Sequence, residues 1–246
     1  MTQGAPAPET PPRWVPALLS FAAGYVDSYT FLALFGLFVA QVTGSFVTAG
    51  AQFVIYDAGF FGKMLAVLAF FLATALTAAL IGLASDKDHD ALPWMLGMET
   101  LLLAAFAVLM IAGPPVKGPD DWHGFLPGIF AAMAMGAQSV VVRLLMRGIP
   151  QTNVMTGNMT QLGVETTEII RARRRCAGRP NDPGAQGDFA AIRTRLLIVL
   201  SITVGFILGA VSGATAYSTA GMAGIPLAVL LLAALTIWAM RRRRRM

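Results

Sequence analysis

The chain has 246 residues, of which 56% are hydrophobic and only 13% are charged, and its mean hydropathy is +0.66. Soluble domains carry about 25% charged residues, so the composition excludes a fully water-exposed surface and predicts an all-α integral membrane protein. The net charge of +5 does not indicate nucleic-acid binding, because the arginines cluster beside apolar segments and no recognition motif accompanies them.

The chain opens with a polar segment, residues 1–13, which we predict to be a disordered cytoplasmic tail. It lacks a basic start, so a cleaved signal peptide is not expected. Residues 14–240 are predicted to form a single transmembrane domain, and residues 241–246 a basic cytoplasmic tail. About six transmembrane helices are expected from the apolar segments long enough to cross a bilayer, at 14–40, 64–85, 92–112, 124–146, 196–217 and 222–240.

Two further segments, 41–56 and 153–170, can form helices but are too short or too polar for ordinary spans. Each starts close to Thr, Asn or Gly, residues typical of helix starts. We interpret each as a short helix that is re-entrant or interfacial. The alternative, in which both cross and the total is eight, would put Arg147 and Arg171–Arg175 on opposite faces, against the positive-inside rule.

The arginines predict the orientation. They concentrate in the long polar stretch 171–195 and in the tail Arg241–Arg245, and Arg13 precedes the first span. Six crossings place all of these on one side, which the positive-inside rule makes the cytoplasm. Both termini are therefore predicted to be cytoplasmic. The lipid bilayer is the expected environment, and anionic headgroups would attract the arginines.

The chain contains an internal repeat. Gly24 precedes the element Thr43-Gly44-Ser45 by 19 residues, and Gly136 precedes Thr156-Gly157-Asn158 by 20, both counted to the threonine. Each copy continues into two apolar spans, which gives repeats at 14–113 and 122–240. Because each repeat has three spans, an odd number, the two must insert in opposite orientations. Such inverted repeats are typical of transporters that bind solute near the bilayer midplane.

The two Thr-Gly elements are the first candidates for substrate binding. Six residues form them: Thr43, Gly44, Ser45, Thr156, Gly157 and Asn158. A helix that starts inside a membrane exposes unpaired N–H groups, which can hold an anion or a polar group of a solute. These residues are equally typical of capping turns at the membrane interface with no ligand, and the sequence leaves both interpretations open.

Charged residues within the predicted spans are candidates for coupling or binding. Asp27 and Glu99 are carboxylates that are costly in a bilayer, so we expect a proton- or cation-coupling role for Asp27, or a hydrogen bond beside Gly24. Glu99 would share a cavity with Asp27 or extend to the cytoplasmic edge. Arg143 would extend to the headgroups or pair with a buried acid or an anionic solute. Polar residues beside the repeat elements are expected to line the cavity: Gln41, Gln138, Ser139, Asn153 and Gln161.

Nothing in the sequence resembles an enzyme site. The single cysteine, Cys176, and the two histidines, His89 and His123, do not have the spacing of metal ligands or of a catalytic pair. We expect no catalytic residue, metal or cofactor.

Small residues predict close helix packing. Gly205, Gly209 and Gly213 recur every four residues and so lie on one face of a helix. A homodimer is expected if such faces associate. The four tryptophans lie near predicted span ends, as in an aromatic belt.

The motif Gly24-Tyr25-Val26-Asp27, followed by Phe35-Gly36-Leu37-Phe38 and Val42-Thr43-Gly44-Ser45, resembles the opening signature of the YoaK-like family of bacterial inner-membrane proteins, a domain of unknown function. Asn153–Gly163 resembles that family's second element. Ser45 stands where asparagine is usual. The resemblance implies a multi-pass protein of the bacterial inner membrane and supplies no substrate.

Two functions remain open at this stage. The first is a small-solute secondary transporter or permease, with Asp27 as the candidate for proton coupling. The second is a non-transporting membrane scaffold whose arginine-rich segment binds lipid or a soluble partner. They are distinguished by whether Asp27 and the two Thr-Gly elements line one cavity.

Overall fold

The computed structural model describes residues 12–55, 58–86, 90–178 and 182–243. Within these ranges the chain is all-helical, with no strand. Its elements are α1 (Trp14–Ala33), α2 (Val42–Ile55), α3 (Phe60–Ser85), α4 (Leu92–Ala112), α5 (Trp122–Leu145), α6 (Met155–Gly178), α7 (Pro183–Ala220), a 3-10 turn (Gly221–Gly224) and α8 (Pro226–Arg243). Most of the predicted N-terminal tail, His89, Arg179, Arg244 and Arg245 lie outside the described residues.

Four helical segments of the described chain are long and apolar enough to cross a membrane: Phe60–Ser85, Leu92–Ala112, Trp122–Leu145 and Pro183–Gly224. Many of their large apolar side chains face outward, such as Phe71 and Leu101, as expected where lipid is the solvent. The all-α membrane class is therefore confirmed. The total of six spans requires α1 and α8 to cross as well, and it stays a prediction.

The first predicted span, 14–40, is too long. Helix α1 ends at Ala33, because Phe35 and Gly36 take left-handed backbone conformations with φ of 53° and 82°. Such a turn is typical of a helix C-terminus. Residues 34–41 then form a non-helical linker to α2. A second linker, residues 146–154, joins α5 to α6.

The prediction of a long polar loop at 171–195 is wrong. Helix α6 continues to Gly178 and α7 begins at Pro183, where Asp182 caps the helix by accepting the N–H of Gly184 at 2.9 Å. The two helices run antiparallel and are joined by an ion pair of 3.0 Å between Arg195 and Glu165. The low hydropathy of residues 171–195 led to the prediction of a loop. Residues 171–178 and 183–195 are nevertheless helical, because helix formation does not require apolar residues on every face.

Helices α1 and α7 pack in parallel along a glycine seam formed by Gly205, Gly209 and Gly213. A Cβ atom at these positions would collide with the carbonyl oxygens of Ala17, Phe21 and Tyr25 respectively. Only glycine permits so close an approach of two backbones. The predicted close contact is confirmed. Because α1 occupies this face within the chain, the face is not free for a homodimer, which stays a prediction without that support.

The remaining contacts relate the two halves of the chain. Helices α3 and α5 also run in parallel, with Gly62 beside Phe125 and Gly136 against the carbonyl of Phe70. Gly24 makes the corresponding approach to the carbonyl of Phe206. Helix α5 is the most enclosed of the four apolar helical segments, with 67% of its apolar window buried.

Helix α1 runs antiparallel to α5. The Leu19 carbonyl accepts a hydrogen bond from Gln138, while Leu34, at the other end of α1, lies beside the position of Gly124. At the N-terminal end of α1, Trp14 packs edge-on against Trp238 of α8, with ring centroids 4.9 Å apart. The N-terminal end of α1 and the C-terminal end of α8 therefore lie on the same side.

Candidate functional site

The first linker is held by Asp27, which lies in the second half of α1. Its Oδ1 accepts the backbone N–H groups of Val39 and Ala40 at 2.8 Å each, and that of Gln41 at 3.4 Å. Asp27 is 2% exposed, and its Oδ2 has no hydrogen-bond partner in the described part of the chain. The carboxylate thus satisfies the N–H groups of a non-helical segment that would otherwise be unpaired inside the protein.

The second linker is held from the corresponding position of α5. Ser139 follows Gly136 by three residues, as Asp27 follows Gly24. Its Oγ accepts a hydrogen bond of 2.6 Å from Asn153 Nδ2. Gln138 donates to the Leu19 carbonyl at 2.6 Å and to Thr152 Oγ1 at 3.1 Å. A buried polar network thus fixes this linker against both α1 and α5.

The two Thr-Gly elements form the first turns of α2 and α6, and each makes an equivalent hydrogen bond to its preceding linker. Ser45 Oγ donates to the carbonyl of Phe38 at 2.6 Å, and Asn158 Nδ2 donates to the carbonyl of Gln151 at 2.7 Å. Each donor reaches the carbonyl seven residues earlier. Serine therefore makes in the first copy the hydrogen bond that asparagine makes in the second.

The two linkers meet at Asn153. Its Nδ2, besides binding Ser139, lies 3.4 Å from the carbonyl oxygen of Ala40 in the other linker. Beside this junction is a half-open cavity of about 400 Å³, which is called the central cavity below because both linkers border it. Its lining residues are Ala40, Gln41, Val42, Thr43, Phe70, Thr74, Ser139, Val140, Arg143, Gln151, Asn153, Val154, Met155 and Thr156.

Among the described lining residues, the charge of the cavity comes from one side chain. Arg143 is the charged member of this lining. It lies in the last turn of α5 and is exposed, with no hydrogen bond or ion pair to another described residue. The remaining polar lining consists of neutral amides and hydroxyls. The cavity wall therefore carries an unneutralised positive charge.

The structure brings together several of the predicted site residues. Thr43, Arg143 and Thr156 line the cavity, as do Gln41, Ser139 and Asn153. Asp27, Ser45, Gln138 and Asn158 support the linkers and helix starts around it. Gly44 and Gly157 lie in the first turns of α2 and α6. Both Thr-Gly elements line one cavity, as the transporter function requires. Asp27 does not line it but lies behind the first linker, which forms part of the cavity wall.

Glu99 lies apart from this group, on α4. It is 0% exposed, and neither carboxyl oxygen has a hydrogen-bond partner among the described residues. The expectation that it extends to the cytoplasmic edge is therefore wrong. It does not line the central cavity. Its side chain points into the packed interior, where a neutral carboxyl group is far less costly than a carboxylate.

Some lining residues were not predicted. Phe70 and Thr74 belong to α3 and reach the cavity because α3 packs along α5. Nothing local in the sequence marks them, because their position depends on a contact between helices of different repeats. Gln151 precedes the second Thr-Gly element closely and could have been found from its polarity. Gln161, by contrast, does not line the cavity.

At the start of α5, outside the apolar helices, Asp121 is the N-cap. The backbone N–H groups of Lys117 and His123, followed by the His123 side chain, lower the pKa of Asp121 to about 2. Its Oδ2 accepts from Lys117 N at 2.9 Å and its Oδ1 from His123 N at 3.1 Å. This carboxylate fixes the turn between α4 and α5.

No cluster of three or more His, Cys, Asp or Glu side chains that could hold a metal ion occurs in the residues that the structure describes. The geometry there is that of a polar junction between short helix starts in a bundle of apolar helices. It defines a helical membrane protein with a cavity between its two halves.

Comparison with known proteins places the chain in a family. Residues 15–238 match the family model described as "Protein of unknown function (DUF1275)", and the chain belongs to this family. No curated protein and no solved structure matches it. The finer YoaK-like resemblance stays a prediction.

Proposed function

We propose that this protein is a small-solute secondary transporter or permease of the bacterial inner membrane. The observation that carries the proposal is the central cavity, which is lined by the starts of both Thr-Gly helices and by both linkers. Non-helical backbone at membrane depth is tolerated where it is buried in protein or lines a water-filled cavity. A volume of about 400 Å³ is in the range of small-molecule sites.

The proposed membrane arrangement has six spans, α1, α3, α4, α5, α7 and α8, in two inverted repeats. Three contacts support it: α1 on α7 matches α5 on α3, both in parallel, and α1 runs antiparallel to its counterpart α5. In this arrangement α2 and α6 are re-entrant helices that start near the midplane and diverge toward opposite faces. Helix α7, with 38 residues and a length of about 57 Å, extends well beyond a bilayer core of about 30 Å.

In the proposed orientation both termini are cytoplasmic. The N-terminal end of α1, the C-terminal end of α8 and the extension formed by α6 and α7 then share one side. Support comes from the contact of Trp14 with Trp238 and from the hydrogen bond of 3.3 Å between Arg13 and Thr194 of α7. Because this side carries the arginine clusters, the positive-inside rule makes it the cytoplasm.

Transport would occur by movement of two helix pairs against each other around the cavity, comparable to the movement between the halves of inverted-repeat transporters. The α1–α7 and α3–α5 pairs are the rigid units in this scheme, since their backbones are in close contact, and each contains one helix from each repeat. They would move relative to each other at the junction of the two linkers, where Asn153 lies against Ala40. Proton coupling by Asp27 or Glu99 stays a prediction; since neither lines the cavity, Asp27 would act through the linker that it holds.

The test is solute uptake into proteoliposomes, with a matched pair of variants. Thr156→Trp fills the cavity, whereas Thr160→Trp places the same side chain one turn further along α6, outside the lining. For any solute that the parent moves, we expect Thr156→Trp to abolish uptake and Thr160→Trp to retain it. Equal uptake by the two variants, or no uptake of any solute class by the parent, would count against the proposal.

The second candidate is a non-transporting scaffold that binds lipid headgroups or a soluble partner. The observation favouring it is the α6–α7 extension, on which Arg173, Arg174 and Arg175 are exposed. The structural hydrogen bonds of Asp27 are also compatible with it. It predicts that neutralising these three arginines removes the biological effect of the protein, while Thr156→Trp has none.

A further inference from the structure

We propose that the central cavity is a binding site for small organic anions, with Arg143 as the group that binds their carboxylate. This inference rests on the proposed function, because it takes the cavity to be the solute site. It adds the chemical class of the solute.

The described wall of the cavity is positively charged. Arg143 lines the cavity, and among the described residues no acidic side chain does. A guanidinium offers several N–H donors in a planar fork that matches a carboxylate. Arg143 uses none of them on the described protein. Arg147, one turn further along the chain, is also exposed but does not line the cavity.

The nearest acid of the junction does not neutralise this arginine. Asp27 lies behind the first linker, and its Oδ1 is occupied by the backbone N–H groups of that linker. No ion pair joins Asp27 and Arg143. The linker therefore separates the two charges, and the arginine faces the cavity while the aspartate faces the backbone.

The N-terminal ends of α2 and α6 add to the positive potential of the cavity. Both helices begin at the cavity, with Val42 and Thr43 from one and Met155 and Thr156 from the other in its lining. The N–H groups of these four residues make no hydrogen bond within the described chain. Unpaired N–H groups in the first turn of a helix favour negative charge. Two such ends at one cavity reinforce the field of Arg143.

The rest of the lining can bind other groups of a solute. Thr43 and Thr156 line the cavity and are both exposed. Their hydroxyl groups can donate to or accept from a hydroxyl or amine of a solute. Phe70 and Val140 add apolar surface. The combination favours a short, hydroxylated carboxylate over a simple inorganic anion.

Binding is tested on the purified full-length protein in lipid nanodiscs, by calorimetry. The probes are lactate, glycerate and inorganic phosphate, with lactamide as the uncharged analogue of lactate. The variants are Arg143→Gln, Arg143→Lys and, as a matched control, Arg147→Gln. Thermal unfolding of each variant checks that it is folded.

We expect the parent to bind lactate or glycerate more tightly than phosphate or lactamide. Arg143→Gln should weaken carboxylate binding by about tenfold or more, as expected for loss of a charge-assisted pair. Carboxylate binding by Arg143→Lys should be intermediate between that of the parent and that of Arg143→Gln, because lysine keeps the charge but lacks the planar fork of donors. Arg147→Gln should bind like the parent.

Equal binding of lactate by the parent and Arg143→Gln would overturn the inference, as would preference for lactamide or the absence of carboxylate binding. Uptake in proteoliposomes separates this inference from the proposed function. Uptake of uncharged solutes that is unaffected by Arg143→Gln would leave the permease standing and refute the anion site. Carboxylate binding through Arg143 without any uptake would support the anion site and refute the permease.

Discussion

The Oδ1 atom of Asp27 lies 2.8 Å from the backbone nitrogen of Ala40, so a side chain of the first helix fixes a wall of the central cavity. The sequence pointed to Asp27 because of the cost of a carboxylate at this depth. In the structure this cost is offset by hydrogen bonds from the backbone N–H groups of Val39, Ala40 and Gln41. Any effect of this residue on a bound solute passes through the linker.

Removing the Asp27 carboxylate should destabilise the protein. Asp27→Ala leaves the N–H groups of Val39, Ala40 and Gln41 without an acceptor, and we expect a loss of about 2 kcal/mol or more. Asp27→Asn keeps an acceptor and should retain most of the stability. The measurement is the free energy of unfolding in detergent, with Ser28→Ala as the neighbouring control. An Asp27→Ala variant as stable as the parent would show that the linker keeps its conformation without the carboxylate.

Asp27→Asn also tests coupling. If Asp27 exchanges a proton during transport, uptake by the parent should vary with pH and uptake by Asp27→Asn should vary much less. Uptake is measured in proteoliposomes between pH 5 and 8, with and without an imposed proton gradient. A pH profile that is identical in the two proteins would exclude Asp27 as the coupling group.

The glycine seam predicts a strong effect of a single methyl group. Gly209→Ala places a Cβ against the carbonyl of Phe21, and α1 must move away from α7. We expect a loss of about 1 to 3 kcal/mol from overpacking. The control is Gly82→Ala in α3, where a Cβ meets open space; it should be neutral or stabilising by up to about 1 kcal/mol. Denaturation by SDS compares them, and equal stability of the two would refute the close contact.

Ser45 and Asn158 should be equivalent under mutation. Each ties the first turn of its helix to the preceding linker, so Ser45→Ala and Asn158→Ala should each cost about 1 kcal/mol. Thr48→Ala is the control for the first helix, because Thr48 Oγ1 bonds only carbonyls of its own helix, at 3.0 and 3.3 Å. Thermal unfolding decides, and a loss at one site alone would argue against equivalent roles.

The cap at Asp121 predicts a dependence of stability on pH. Its pKa in the folded protein is lowered to about 2 from a usual value of 3.8. A carboxyl group with a lowered pKa stabilises the fold above about pH 4, and this contribution is lost as the pH falls from 4 toward 2. The melting temperature of Asp121→Asn should therefore fall less than that of the parent over this interval. Parallel melting curves for the two proteins would contradict the lowered pKa.

The sequence predicted the parts of the site that a repeat can reveal. The matching positions of Thr43 and Thr156 indicated a shared location, and both line one cavity. The glycines of α7 were sufficient to predict a close helix contact, since their four-residue spacing fixes a face of the helix. Their partner, α1, was not predictable, because spacing within one helix carries no information about which other helix it packs on.

The errors have a common physical origin. Hydropathy identifies segments that can be surrounded by lipid. The end predicted for α6 was therefore too early and the start predicted for α7 too late, because both helices are polar there. Hydropathy extended the first span through Phe35 and Gly36, where the chain stays apolar but the backbone turns. Glu99 was misplaced for the related reason that its burial depends on the helices around it, and these are distant in the sequence.

The contact of α1 with α7 has a consequence for how the protein is made. Helix α1 leaves the ribosome well before α7, its principal partner, which emerges only after α2 to α6 have been synthesised. During that interval the backbone face that receives Gly205, Gly209 and Gly213 has no native cover, and Ser20 lacks the Ile202 carbonyl that it binds at 2.9 Å in the finished protein. We therefore expect the insertion machinery to shelter α1 until α7 arrives, and neither half to become a folded unit before the other is present.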